Sequence, residues 1–141
     1  MRSHPKSNVV CALLICCGCA SLGLLTVRRV FACECLPPKR PSAELKRAAA
    51  VFVGEVSNVQ AGEYSHTVEI KTEKVWKGEI GKTIVIQTSK WECGYPFVRG
   101  KKYLIYVYGK APFAVSQCSR TKPIESASED LKELGEGKQP N

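Results

Sequence analysis

Apolar and polar residues alternate with a period of two along several short runs, and these runs fix the expected elements. Residues 66–76 carry Val68, Ile70 and Thr72 on one parity and Thr67, Glu69 and Lys71 on the other. That is a strand with one buried face. Val75 falls on the opposite parity. A one-residue break of this kind is what a β-bulge produces, and bulges let small barrels bend. Residues 83–88 alternate again, with Ile84 and Ile86 opposite Val85. Residues 50–56 and 103–108 differ: successive positions are apolar, as in strands covered on both faces. Gly54, inside the first of these, marks a bulge or a close backbone approach. A short fifth strand is expected over 113–115, running on to Cys118. Turns fall at 62–64, 77–81 and 109–112, and a longer loop over 89–100 holds Cys93-Gly94, Pro96 and Gly100.

Two helices flank the strands. Pro37, Pro38 and Pro41 forbid a helix before residue 41 and stiffen an extended segment. Ser42 is then expected to cap a helix running through about Ala49, with Glu44 in its first turn. After Pro123, the spacing Ser126-x-x-Glu129 is a capping-box pattern opening a final helix, with Leu131 and Leu134 inward and Gly135 ending it. Residues 136–141 are expected to be a disordered tail. Five short strands with one helix before and one after predict a mainly β domain over 33–135, built as a small closed or partly open barrel.

The first 32 residues have a separate character. Arg2 and Lys6 precede an apolar run of 19 residues over 9–27, and Val30-Phe31-Ala32 supplies the residues a signal peptidase site needs before Cys33. The segment is read first as a cleaved export signal. The run approaches the ~20 residues that span a bilayer, and Arg28 and Arg29 follow it directly, so a retained membrane anchor is the second reading. Lipidation at Cys33 is the third, since Val30-Phe31-Ala32-Cys33 loosely resembles a lipobox. All three place the domain outside the cytoplasm.

Removing this segment halves the charge. The chain carries 21 basic and 13 acidic residues for a net charge of +8; four of the basic residues and none of the acidic ones precede Cys33, leaving +4. So mild a charge, mixed in sign, on an exported domain argues against nucleic acid. Cysteine usage divides in the same way. Cys11, Cys16, Cys17 and Cys19 lie in the apolar run as small hydrophobes. Cys33, Cys35, Cys93 and Cys118 follow the signal, which reads as two disulfides in an oxidising compartment. The rival reading, a four-thiolate zinc site, usually needs two close cysteine pairs, and Cys93 and Cys118 stand apart. Sequence alone leaves three pairings open. His66 is the only histidine after the signal, so an acid–base pair would depend on it alone. No enzyme activity and no resident cofactor are expected.

Ordered along the chain after residue 32 are Cys33-Glu34-Cys35 followed by Pro37, the run Ala50-Val51-Phe52-Val53-Gly54-Glu55-Val56, Val75-Trp76-Lys77-Gly78, Cys93-Gly94, Tyr103-Leu104-Ile105-Tyr106 and Cys118. In this the chain resembles the N-terminal domain of the tissue inhibitors of metalloproteinases, which are netrin-like OB-fold barrels. The resemblance implies bridges Cys33–Cys93 and Cys35–Cys118. It implies an inhibitory edge made of Cys33, Glu34 and Cys35 with Glu92, Cys93 and Gly94. It also implies a zinc metalloprotease as partner.

The implied chemistry uses the chain end rather than a thiol. A catalytic zinc keeps one position open for water. The free α-amine and carbonyl oxygen of Cys33, present once the chain is cut after Ala32, can close a five-membered chelate on that metal and displace its water. The amine must be neutral, and its reference pKa of ~7.7–8.0 leaves an appreciable neutral fraction near pH 7. Glu34 departs from the small hydroxyl residue usual between the two cysteines. A carboxylate entering an apolar specificity pocket unpaired costs several kcal/mol. The alternative reading is an extracellular netrin-like binding or structural module with no metal chemistry.

Overall fold

The structure is a computed structural model and describes residues 33–141. Residues 1–32, with the expected export segment and the Ala32 side of the expected cut, lie outside them. Among the described residues no helix is long and apolar enough to cross a membrane.

Six strands form one sheet: β1 (Ala50–Ala61), β2 (Ser65–Lys77), β3 (Thr83–Ser89), β4 (Lys102–Val107), β5 (Ala114–Val115) and β6 (Lys122–Pro123). Their order is β5-β3-β2-β1-β4-β6. All neighbours are antiparallel except β3 and β5, which run parallel. The sheet curls into a half-barrel. An isolated bridge from Tyr108, just past β4, to Ala114 of β5 brings the two sides of the curl together.

The curl follows from the sequence. In the β1–β2 ladder Phe52 faces Val75, Val53 faces Lys74 and Gly54 faces Thr72, so Glu73 is an extra residue on β2. This is the bulge that the parity of Val75 predicts. Trp76 on β2 and Ser57 on β1 are skipped in the same way. Each extra residue bends and twists the ladder. Gly54 lies where the strands approach closely: an added Cβ would collide with the Ile70 side chain and stand 2.6 Å from the Lys71 carbonyl oxygen.

Two apolar layers result. The inner face of the curl buries Phe52, Val56, Val68, Ile70, Ile86, Tyr103, Ile105 and Val107. The outer face of β1 and β4 buries Val51, Val53, Leu104 and Tyr106 under Ala48, Ala127, Leu131 and Leu134. Both parities of these two strands are therefore covered, which is why they are apolar throughout.

The covering elements are helix α1 (Pro41–Arg47), a 3₁₀ turn (Ile124–Ser126) and helix α2 (Ser128–Leu134). Here the sequence expectations need correction. Helix α1 starts at Pro41, whose fixed φ suits a first helical position. Ser42 lies inside the helix, and its amide donates to Glu133 Oε1 at 3.0 Å. Ser126 belongs to the 3₁₀ turn, and Ala127 precedes α2 with no side-chain cap, so the capping box does not form. Gly135 ends α2 with a φ of 69°, as expected. The sheet has six strands rather than five, because Pro123 pairs with Tyr103 at the sheet edge, where a missing N–H is tolerated. Residues 136–141 run back along the sheet. Beyond Lys71 the outer edge of β2 has no β3 partner, and Lys138 takes it with a reciprocal pair of hydrogen bonds to Val75, 2.7 and 2.8 Å. Asn141 N donates to the Ile80 carbonyl.

Candidate functional site

Residues 33–40 have no regular secondary structure, and all but the half-buried Cys33 are exposed. Two disulfides pin the start of this ridge. Cys33 is bonded to Cys93 and Cys35 to Cys118, with Cα separations of 5.3 and 5.0 Å. This is the pairing the resemblance implies. The bridges touch: Cys33 Sγ lies 3.5 Å from Cys118 Sγ and 3.9 Å from Cys35 Sγ. The sulfurs of Cys33, Cys35 and Cys118 thus lie within 4.8 Å of one another, but each is spent in an S–S bond. The four-thiolate zinc reading is therefore set aside, since the ligand of such a site is a thiolate.

The loop that receives Cys33 is held tightly. Gly94 N donates to the Trp91 carbonyl at 2.8 Å, and Gln117 N to the Cys93 carbonyl at 3.0 Å. Gln117 Nε2 donates to the Glu92 carbonyl at 3.1 Å. Gly94 also bridges to Ser116. Only glycine fits at 94, because a Cβ there would run into the Ser89 carbonyl oxygen. Cys33, Glu34, Cys35, Glu92, Cys93, Gly94 and Cys118 therefore form one patch at the protein surface.

No family model and no curated protein matches this chain.

Past the disulfides the ridge runs through Leu36, which is 88% exposed, and the exposed Pro37 and Pro38. A groove of about 660 Å³ lies along it, lined by Glu34, Cys35, Pro37, Glu44, Tyr108 and Ser119 among others. Trp91, 62% exposed, lines a second groove with His66, Glu92 and Gly94. Trp76 is half-buried, and its Nε1–H donates to the Gly135 carbonyl at 2.9 Å. His66 lies in β2, half-buried, with its Nδ1 unpaired among the described residues.

Behind the ridge are two buried carboxylates that the sequence reading did not single out. Glu44, 2% exposed, accepts from Lys39 N (3.1 Å), Arg47 Nη1 (2.9 Å) and Tyr108 Oη (2.7 Å). Asp130, fully buried, accepts from Arg120 Nε (2.7 Å) and Nη2 (2.9 Å), Lys122 Nζ (2.8 Å) and Tyr106 Oη (3.1 Å). Burial pushes both carboxyls up. At Glu44 the hydrogen bonds from Tyr108 and Lys39, with Arg47, outweigh it; at Asp130 the bonds from Arg120 and Lys122 do. Both therefore titrate below the ordinary carboxylate range. A signal was present in the sequence. Pro41, Glu44 and Ala48 share a helical stripe, as do Ala127, Asp130 and Leu134, so each acid sits on an apolar face.

Proposed function

We propose that the chain, once cut between Ala32 and Cys33, is an exported inhibitor of zinc endopeptidases, similar in organisation to the netrin-like OB-fold domain of the tissue inhibitors of metalloproteinases. The observation that carries this reading is the ridge. Cys33 and Glu34 lie at the surface between two touching disulfides, one to Cys93 in the Glu92-Cys93-Gly94 loop and one from Cys35 to Cys118. A chain end held this way has little freedom left to lose on docking, so less of the interaction is spent on ordering.

In this reading the Cys33 α-amine and carbonyl oxygen take the protease zinc and displace its water. The Cys33 sulfur is committed to Cys93 and only positions the residue. Glu34 points the choice of target toward proteases whose specificity pocket is polar or cationic, because an unpaired carboxylate is costly in an apolar one. Disulfides form and persist in oxidising compartments, in keeping with export.

The test is direct. Protein with a verified Cys33 terminus is assayed against a panel of zinc endopeptidases beside a form with one alanine added ahead of Cys33. Inhibition that the extra alanine abolishes is the expected result; no inhibition across the panel overturns the reading. Glu34 favours the second reading, an extracellular netrin-like binding module that leaves metals alone. N-terminal sequencing of exported protein separates the two, since a retained or acylated terminus blocks the amine.

A further inference from the structure

One residue of the ridge is gripped from both sides. Lys39 N–H donates to the Glu44 carboxylate at 3.1 Å, and the Lys39 carbonyl accepts from Arg120 Nη1 at 2.7 Å. Both gripping side chains are buried, 2% and 8% exposed. Each is held in turn. Glu44 is fixed by Arg47 and Tyr108, and Arg120 makes a two-pronged pair with Asp130 of α2. A forked guanidinium–carboxylate pair fixes direction as well as distance. The third guanidinium nitrogen is thereby aimed at a single backbone oxygen.

Glu44 and Arg120 come from distant parts of the chain, and neither bond to Lys39 involves its side chain. The ridge is thus fixed at two points: at Cys33 and Cys35 by the disulfides, and at Lys39 by a pair of opposite charges. Between them Leu36, Pro37 and Pro38 form an exposed arch whose prolines limit its backbone to few conformations. Neither fixed point alone determines the course of the arch. Disulfides alone leave the far end of a five-residue span unfixed, and helix α1 ties the chain only from Arg40 on, whose carbonyl accepts from the Ala43 and Glu44 amides.

We propose that Glu44 and Arg120, the latter through Asp130, are positioning residues that hold the Cys33–Lys39 ridge in its docking conformation from behind. This rests on the inhibitor reading for its consequence, but not for its structural content. The C-terminal helix α2 thereby acts on a surface built from the start of the domain. Its Glu133 adds a third tie through the Ser42 amide.

The experiment uses the full disulfide-bonded mature protein and the variants Arg120→Lys, Arg120→Ala and Glu44→Ala. Lysine keeps the charge beside Asp130 but cannot reach both partners. Amide hydrogen exchange is followed at Lys39, with Ala49, whose N–H donates to the Val107 carbonyl, as the reference for the sheet. In Arg120→Lys the Lys39 amide is expected to exchange at least tenfold faster while Ala49 is unchanged, and inhibition of a susceptible endopeptidase weakens about tenfold or more. If Arg120→Ala loses protection at Ala49 as well, it reports global destabilisation, and the lysine variant alone decides. Unchanged exchange at Lys39 in Arg120→Lys overturns the part given to Arg120, and unchanged exchange in Glu44→Ala, which removes the acceptor of that amide, overturns the part given to Glu44. Faster exchange with undiminished inhibition overturns its role in docking. If the wild type inhibits nothing, the inhibitor reading fails by itself, and the clamp stands or falls on the exchange data.

Discussion

Cys33 Sγ and Cys118 Sγ belong to different disulfides yet lie 3.5 Å apart, so the two bridges work as one knot at the start of the domain. The bridges span 60 and 83 residues of sequence, and the loops they close overlap. In the chain-entropy picture each loop alone contributes roughly 4 kcal/mol. Because either bridge already shortens the other's free loop, the second adds less than the first. Replacing Cys35 and Cys118 by serine is expected to lower the unfolding free energy by about 2–4 kcal/mol. Removing all four cysteines costs less than twice that. Urea unfolding of the three proteins checks the ordering.

Asp130 is an exacting polar position. It is fully buried and receives Arg120, Lys122 and Tyr106 together. Changing Asp130→Asn leaves the nearly buried Arg120 with only the exposed Glu129 carboxylate, 4.0 Å away, as counter-charge. Breaking a buried pair from one side costs about 3–5 kcal/mol, a large share of the ~5–15 kcal/mol typical of a whole domain. Denaturant unfolding should show a midpoint shift of that size with an unchanged slope. Glu129→Gln is the comparison, because Glu129 is exposed and stands 4.0 Å from Arg120.

The same acids set the acid limit of stability. The folded Glu44 and Asp130 carboxyls lie below their ordinary values, which are ~4.3 and ~3.9 in the unfolded chain. A depressed folded value means that the stabilisation is fully present above the unfolded value. It is lost as pH falls through the folded one. Stability is therefore expected to be level from neutral pH down to about 5 and to fall below about 4. In Asp130→Asn the acid slope should be shallower. Urea midpoints measured along a pH series test both statements.

The strands and cysteines were legible in the sequence because they have a period or a fixed chemistry. The bulge at Glu73 showed itself through the parity of Val75. The two-sided burial of β1 and β4 showed as unbroken apolar runs. The features missed carry no period. Strand β6 is only two residues long, too short to alternate, and Lys138 pairs with Val75 only because β3 stops short of that edge. The clamp on Lys39 failed for another reason. Glu44 and Asp130 look like ordinary helix-start acids, and only their place on the apolar stripe marks them as buried. What they hold is a backbone, and backbone groups leave no trace in side-chain patterns.

Gly94 governs the loop that anchors Cys33. Its backbone packs so closely on the Ser89 and Trp91 carbonyls that a methyl group has no room. Gly94→Ala is therefore expected to push the Glu92–Gly94 segment away from residues 116–118 and to cost about 1–3 kcal/mol through overpacking. Gly100→Ala is a useful contrast: its φ of +78° strains an alanine, but nothing stands within 4 Å of an added Cβ. Thermal unfolding gives the cost of each. In Gly94→Ala the shift should come with changed amide exchange at Gln117, whose N–H donates to the Cys93 carbonyl; in Gly100→Ala that amide should be unaffected.

In the inhibitor reading, Glu34 decides what the ridge can dock against. It is exposed, between the two bridged cysteines, and in the inhibitor reading its carboxylate enters the pocket beside the protease zinc. An apolar pocket would strip its water without providing a partner, at a cost of several kcal/mol. A cationic pocket would instead form a charge-assisted hydrogen bond. Changing Glu34→Thr removes the charge while leaving both disulfides in place. The variant is expected to inhibit endopeptidases with apolar pockets at least tenfold more tightly than the wild type, tenfold being about 1.4 kcal/mol. It should lose potency against those with a basic pocket. Inhibition constants for both proteins across such a panel give the answer. If the two proteins rank the panel identically, Glu34 does not enter the pocket, and the docking pose built on Cys33 is wrong.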